Sequence, residues 1–127
     1  MDELSGLSRR ERQIMDVVFR RGKATATQVV EEMPDAPSKT AVRTMLTILE
    51  NKGHLKHTKS GREYVYEATK PRARAGRSAL RRVVETFFAG SLGSAVAAHL
   101  SDPDSKLAPD ELDKLAQLVR KARKGGK

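Results

Sequence analysis

The chain has 127 residues, enough for one domain or for one domain with a small appendage. Its 25 Lys and Arg against 16 Asp and Glu give a net charge of +9, which favours a polyanionic partner, with nucleic acid first and an anionic membrane surface second. The absence of cysteine excludes disulfides, cysteine-based zinc sites and thiol chemistry, and no apolar run approaches the ~18 residues of a membrane span.

The charged N-terminus has no signal-peptide pattern, so we expect a cytoplasmic protein without membrane insertion. Residues 1–7 are expected to form a flexible lead. Ser8, with a glutamate three residues later, has the spacing of a helix capping box, and Thr25, with a glutamine three residues later, repeats it. The second helix ends before Pro34, because the residue preceding a proline is disfavoured in helical conformation.

The third predicted helix, residues 38–53, has two different faces. Its apolar residues recur at helical spacing and predict a buried stripe, while its outer face carries threonine and arginine instead of the usual mixture of glutamate and lysine. Threonine is a mediocre helix former, but its hydroxyl and methyl groups suit phosphates and thymine methyls. We therefore predict a recognition helix in the major groove of DNA. Its predicted DNA-binding residues are Lys39, Thr40, Arg43, Thr44 and Thr47.

The hydrophobic period then changes from helical to alternating. Residues 54–68 are rich in Tyr and Val around a Ser-Gly turn, which predicts a β-hairpin. A hairpin directly after a recognition helix is the wing of a winged helix. Lys59 and Arg62 at its tip, together with Lys39, are predicted phosphate contacts, whereas Arg43, Thr44 and Thr47 are predicted base contacts and Thr40 fits either role.

We therefore predict a mainly α fold with a small β-hairpin, in which a winged helix-turn-helix domain (residues 1–70) precedes a helical region (residues 71–127). Residues 69–77 form either a basic linker or the start of a helix, and apolar helical patterns follow from Ser78, near residues 94–100 and from Pro109. Gly90 and Gly93 are expected to break the first of these helices, and the basic tail after Val119 is expected to fray.

The apolar stripes of this second region are too small to hold a core of their own. They either pack back on the winged helix or pair with the same helices of a second chain. We favour the homodimer, because the winged helix already has its own core. The predicted dimerisation residues are Leu80, Val83, Val84, Phe87, Leu112, Leu115 and Leu118.

Neither a metal site nor a catalytic centre is predicted, and we expect no cofactor. His54 and His57 lie three residues apart on a strand, so their rings would point to opposite faces. The sequence has no GxSxG motif, no phosphate-binding loop and no paired carboxylates in an apolar setting. An enzyme is therefore not expected.

Six short motifs occur together, at residues 11–19, 39–46, 49–53, 64–66, 87–92 and 112–115. They read ERQIMDVVF, KTAVRTML, LENKG, YVY, FFAGSL and LDKL. In this combination the chain resembles the penicillinase-repressor family, of the BlaI/MecI/CopY type. The resemblance implies a dimeric winged-helix repressor that binds a palindromic operator in double-stranded DNA and controls resistance or stress genes. It also implies an upstream sensor or protease as a partner, since some members are inactivated by cleavage within the dimerisation helices.

The sequence departs from that family pattern in ways that bear on the inducing signal. The copper-responsive branch binds metal through paired cysteines, which this chain lacks. Alignment on residues 87–90 places Arg82-Val83 where the cleavable members carry Asn-Phe, which argues against cleavage at that bond. Two rival functions are a non-specific architectural DNA binder and a protein-interaction adaptor that contacts an acidic protein.

Overall fold

A computed structural model describes residue 4 and residues 6–126; residues 1–3, 5 and 127 lie outside the described part. The secondary-structure elements, in chain order, are α1 (Arg9–Arg21), β1 (Ala24–Thr25), α2 (Ala26–Glu32), α3 (Lys39–Asn51), β2 (Leu55–Ser60), β3 (Glu63–Ala68), α4 (Arg72–Phe88), α5 (Leu92–Ser101) and α6 (Pro109–Gly126). The predicted fold class, mainly helical with a small hairpin, is confirmed.

The sheet is a small antiparallel one in which β3 lies between β1 and β2. The predicted hairpin is β2 and β3, with Leu55 opposite Ala68 at its base and Ser60 opposite Glu63 at its tip. Strand β1 was not predicted; its Ala24 pairs with Tyr66 of β3. We call β2, β3 and the turn between them the wing.

The two capping boxes that the sequence predicts are present, and a third cap lies at the start of α3. At Ser8 the hydroxyl accepts from the Glu11 N–H at 3.1 Å, and the Glu11 carboxylate accepts from the Ser8 N–H at 2.8 Å. Thr25 forms the same capping box at α2. The Ser38 hydroxyl accepts from the Ala41 N–H at the start of α3. These bonds satisfy amide groups that a helix N-terminus otherwise leaves unpaired.

The core of the winged helix lies between the inner faces of α1, α2 and α3 and the sheet. Apolar residues at helical spacing meet there because each helix has one apolar stripe, and the fully buried large side chains are Ile14, Met15, Val17, Val18, Val29, Val42, Leu46, Leu49 and Leu55. The expectation of a flexible lead is wrong at Leu7, which lies in this core, with Leu4 packed against it. The rest of the predicted lead includes residues outside the described part.

The chain divides into two compact units, Met1–Arg82 and Val83–Lys127. A functional boundary after residue 70 stays a prediction. Residues 72–88 form one continuous helix, so of the two readings of the basic segment the helix start is confirmed, and Gly76 lies within it. That helix ends where Ala89 and Gly90 adopt positive φ values of 51° and 82°, a conformation that glycine tolerates best.

Two expectations about the C-terminal helices are wrong. Gly93 does not break a helix but lies in the first turn of α5, which Ser91 caps. The expected frayed tail is instead helical over residues 120–126, since α6 continues through Gly126, and Lys127 lies outside the described residues. Within the described residues no single helix is both long and apolar enough to cross a membrane, and α4 with α5 reaches that length only as a sharply bent pair.

Candidate nucleic-acid interface

The outer face of α3 is exposed along its whole length. Val42, Leu46 and Leu49 are buried on the inner side, which fixes the rotation of the helix about its axis. As a consequence, all five DNA-binding residues predicted on α3 are exposed, and so are Lys59 and Arg62 on the wing. The predicted division of α3 into a buried stripe and a polar outer face is therefore present in the structure.

The wing and α3 together form a basic cleft of about 280 Å³. Four of the seven predicted DNA-binding residues line it: Lys39 and Arg43 from the helix, and Lys59 and Arg62 from the wing. Glu63 is the acidic residue of this lining, so positive charge dominates the cleft. Such a concentration of cations attracts phosphate groups and offers them direct ion pairs.

The three threonines predicted to bind DNA do not line the cleft; they lie on the rest of the exposed face of α3. The Thr44 hydroxyl donates to the carbonyl oxygen of Thr40, and the Thr47 hydroxyl donates to that of Arg43, each at 3.1 Å. These are bonds from a side chain to the carbonyl one turn earlier in the helix. The sequence predicted which residues are exposed here, but it did not indicate these bonds.

A cluster of side chains ties the wing to α3. His57 Nδ1 on β2 lies 2.7 and 2.8 Å from the two carboxylate oxygens of Glu50 on α3. The His57 ring stacks on Tyr64 with ring centres 4.2 Å apart, and Tyr66 lies beside both rings. Burial raises the pKa of Tyr66, and the neighbouring Glu50 carboxylate adds to that rise. We call His57, Glu50, Tyr64 and Tyr66 the wing anchor.

Two further contacts hold α3 against α1. The Lys52 ammonium at the end of α3 lies 3.0 Å from a carboxylate oxygen of Glu11, whose side chain is almost fully buried. The Arg10 guanidinium donates to the carbonyl oxygens of Pro34 and Asp35, at 3.1 and 2.6 Å, in the turn that leads into α3. Asp35 itself has a positive φ of 46°. These contacts hold the C-terminal end of α3 and the turn that precedes this helix.

The predicted dimerisation residues differ in exposure. Leu80, Phe87, Leu112, Leu115 and Leu118 are exposed, and Phe87 is the most exposed of them at 69%. Val83 is half-buried. Val84 is buried within the chain itself, so its side chain has little surface left for a partner. The exposed members form apolar stripes on α4 and α6.

Sequence reasoning missed one exposed residue of α3 and the wing anchor. Ile48 is 40% exposed on α3, although every other large apolar residue of that helix is buried or partly buried. Ile48 falls outside the apolar stripe of Val42, Leu46 and Leu49, and this position was the signal that could have indicated its exposure. Within the part of the chain that the structure describes, no three His, Asp or Glu side chains converge on a common point where a metal could bind.

Comparisons with known proteins assign the sequence to a family. The sequence model of the family described as penicillinase repressor matches residues 7–121. A penicillinase repressor from Bacillus licheniformis is 26% identical over 121 residues, covering 94% of this chain and 93% of the relative.

Solved structures are similar as well. The DNA-binding domain of the repressor BlaI is 29% identical, with a TM-score of 0.48, and covers 55% of this chain and 88% of that chain. A mutant of MarR from E. coli has a TM-score of 0.54 at 16% identity, covers 94% of this chain and 81% of that chain, and shares the fold. Because the family match spans most of the sequence, the chain belongs to the penicillinase repressor family and is a DNA-binding transcriptional repressor.

Proposed function

We propose that the protein is a homodimeric, sequence-specific repressor that binds a palindromic operator in double-stranded DNA. Each winged helix binds one half-site, with α3 in the major groove and the wing beside it. The protein acts in the cytoplasm and controls genes of resistance or of a stress response. The signal that relieves repression reaches it through an upstream sensor or protease.

The observation that carries this proposal is the basic cleft. Lys39 and Arg43 from α3 lie on the same surface as Lys59 and Arg62 from the wing, although about 20 residues separate the two pairs in sequence. A recognition helix that enters the major groove brings a flanking wing to the phosphates beside that groove. The cleft supplies cations for those phosphates, and the exposed face of α3 supplies the groups that meet the bases.

The homodimer is supported by the exposed apolar side chains of α4 and α6. Monomeric proteins seldom expose this many large apolar side chains on adjoining helical turns, and Leu112, Leu115 and Leu118 recur on one side of α6. A palindromic operator with half-sites about one turn of DNA apart, roughly 34 Å, would require two recognition helices at the same spacing. The half-sites of such an operator would be related by the two-fold symmetry of the homodimer.

The experiment that tests this function is selection of bound sequences from a random duplex pool at near-physiological salt. The proposal predicts an enriched palindrome whose half-sites are centred about one helical turn apart, or a multiple of it. Sedimentation at micromolar concentration should show a dimer in the same buffer. A monomer throughout that range would contradict the homodimer.

The other outcomes of the selection identify the rival functions. Binding with a steep negative salt dependence but without an enriched motif would indicate a non-specific architectural protein. Failure to bind any duplex at low salt would indicate an adaptor whose cations contact an acidic protein. Either result would overturn the sequence-specific operator.

A further inference from the structure

On the outer face of α3, two of the three predicted threonines use their hydroxyl protons within the helix, which leaves their methyl groups as the apolar part of that face. A threonine hydroxyl has one proton, and those of Thr44 and Thr47 are already donated to backbone carbonyls of the same helix. Neither hydroxyl can donate to a phosphate or to a base acceptor while these bonds persist. Each keeps its lone pairs as acceptors, and each still has its Cγ2 methyl group.

Ile48 extends this apolar character. It follows Thr44 by four residues and Thr47 by one, so it lies one turn beyond Thr44 on the same side of the helix. Its side chain is 40% exposed, in contrast to the buried Val42, Leu46 and Leu49. We call Thr44, Thr47 and Ile48 the methyl face.

A partner for the methyl face must offer apolar groups within a polyanionic surface. The polyanionic requirement follows from the adjoining cleft, where Arg43 of the same helix lies with Lys39 and the two wing cations. Duplex DNA meets both conditions, since the C5 methyl of thymine is the apolar group that base edges present in the major groove. An acidic protein surface would instead need hydroxyl donors or cations opposite its carboxylates.

We propose that the methyl face reads thymine methyl groups, so that operator half-sites carry thymine where Thr44, Thr47 and Ile48 meet the groove. Arg43, at the edge of this face nearest the wing, reads an adjacent guanine. The inference rests on the proposed function and adds the chemical identity of the bases. It also makes Ile48 a specificity-determining residue.

Replacement of thymine by deoxyuridine tests the inference directly, because it removes the C5 methyl and leaves the pairing edge unchanged. The duplex is the strongest binder selected from the random pool, with thymines replaced one position at a time. Each replacement beneath the methyl face should weaken binding about fourfold, the equivalent of about 0.8 kcal/mol for one methyl removed from a contact. Replacement in a random duplex should leave binding unchanged.

Two nearly isosteric variants assign the effect to the protein. Thr44→Val keeps a methyl group and loses the hydroxyl, whereas Thr44→Ser keeps the hydroxyl and loses the methyl. The valine variant should retain the preference for thymine over deoxyuridine. The serine variant should lose that preference at one base, and the losses from Thr44→Ser and from deoxyuridine should be non-additive.

Ile48→Ala should weaken the operator complex and reduce the thymine preference at a second base. Thermal unfolding of each variant checks that the exposed substitutions leave the fold intact. Equal affinity for thymine and deoxyuridine duplexes, or loss of the thymine preference in Thr44→Val but not in Thr44→Ser, would overturn the methyl contact and leave the repressor function standing. A random pool without an enriched palindrome would overturn the proposed function itself.

Discussion

At the scale of single residues, cations on one surface should separate into base-reading and phosphate-binding groups. Arg43 lies on α3, the helix that we propose enters the groove, and a good bidentate contact with a base contributes about 1–3 kcal/mol of discrimination. Arg43→Ala should therefore lower the ratio of operator affinity to random-duplex affinity by roughly 5- to 150-fold. Binding titrations with both duplexes measure this ratio.

The wing supplies the matched comparison. Lys59→Ala and Arg62→Ala each remove one cation from the same cleft, but from the tip of the hairpin. Each should weaken operator and random duplex by a similar factor and reduce the slope of log affinity against log salt by about one. Arg43→Lys keeps the positive charge but loses the planar guanidinium. It should therefore bind a random duplex as before but discriminate less between operator and random duplexes. Equal ratios for all variants would contradict a base-reading role for Arg43.

Among the elements, the contact between α1 and the end of α3 should depend on pH. The Ser8 N–H donates to the Glu11 carboxylate and, with the Lys52 ammonium, lowers the Glu11 pKa below its usual 4.5, against the effect of burial. A lowered pKa in the folded state stabilises that state above the unfolded pKa, and this stabilisation is lost as the pH falls through the folded value.

Glu11→Gln should consequently lower the free energy of unfolding by roughly 1 kcal/mol at pH 7, since glutamine keeps the capping bond but loses the charge. The difference from the natural chain should shrink as the pH falls below about 4.5 and Glu11 becomes protonated. Denaturant titrations between pH 3 and pH 7 measure it. Glu31→Gln removes the same charge from an exposed position on α2 and should change stability by less than about 0.5 kcal/mol. If the two chains differed in free energy of unfolding by the same amount at every pH, the charge of Glu11 would not be the source of that difference.

The position of the wing relative to α3 should depend on the wing anchor. His57→Ala removes both the contact with Glu50 and the ring that stacks on Tyr64, so the cations of the wing lose their fixed position relative to α3. A side-chain hydrogen bond contributes about 1 kcal/mol, and we expect roughly fivefold weaker binding of the operator. Thr58→Ala, at the neighbouring strand position that faces the other side of the sheet, is the control. Similar losses in both variants would show that the anchor does not position the wing.

The elements themselves were largely predictable because their signals are local. Capping boxes at Ser8 and Thr25, and the change of hydrophobic period after Gly53, each involve residues within one or two turns of chain. Strand β1 has two residues, too few to show any alternation, and it exists only because β3 pairs with it. Gly93 was misread because a glycine can be accommodated in the first turn of a capped helix as well as at its end.

The candidate site was less predictable, because its contacts depend on side-chain rotamers and on how separate elements pack together. The exposed residues of α3 follow from its helical period, but the bond from Thr44 to the carbonyl of Thr40 depends on a rotamer. The contact of His57 with Glu50 depends on the angle between the wing and α3, which no short stretch of sequence specifies. Val84 shows the same limit, since its place in the apolar period does not distinguish a buried residue from one that meets a second chain.

For the molecule as a whole, the proposed DNA-binding surface and most of the proposed dimerisation surface lie in different units of the chain. The cleft and the methyl face lie within residues 1–82, while most of the exposed apolar stripe lies in residues 83–127. A repressor built in this way gains affinity from having two linked half-sites, because binding of the first winged helix raises the effective concentration of the second. Loss of the dimer should therefore weaken operator binding without altering the surface that touches DNA.

Phe87→Asp tests this coupling, because Phe87 is the most exposed of the predicted dimerisation residues and a carboxylate cannot be buried there without a partner. We expect the dimer dissociation constant to rise by roughly 30-fold or more, the equivalent of about 2 kcal/mol for a central interface residue. Operator affinity should fall towards that of one half-site, while binding to an isolated half-site stays unchanged. Thr86→Asp adds the same charge to an adjoining exposed position of α4 and should remain dimeric. Sedimentation and titration with full and half operators measure both effects, and a Phe87→Asp variant that is still dimeric would place the interface on another surface.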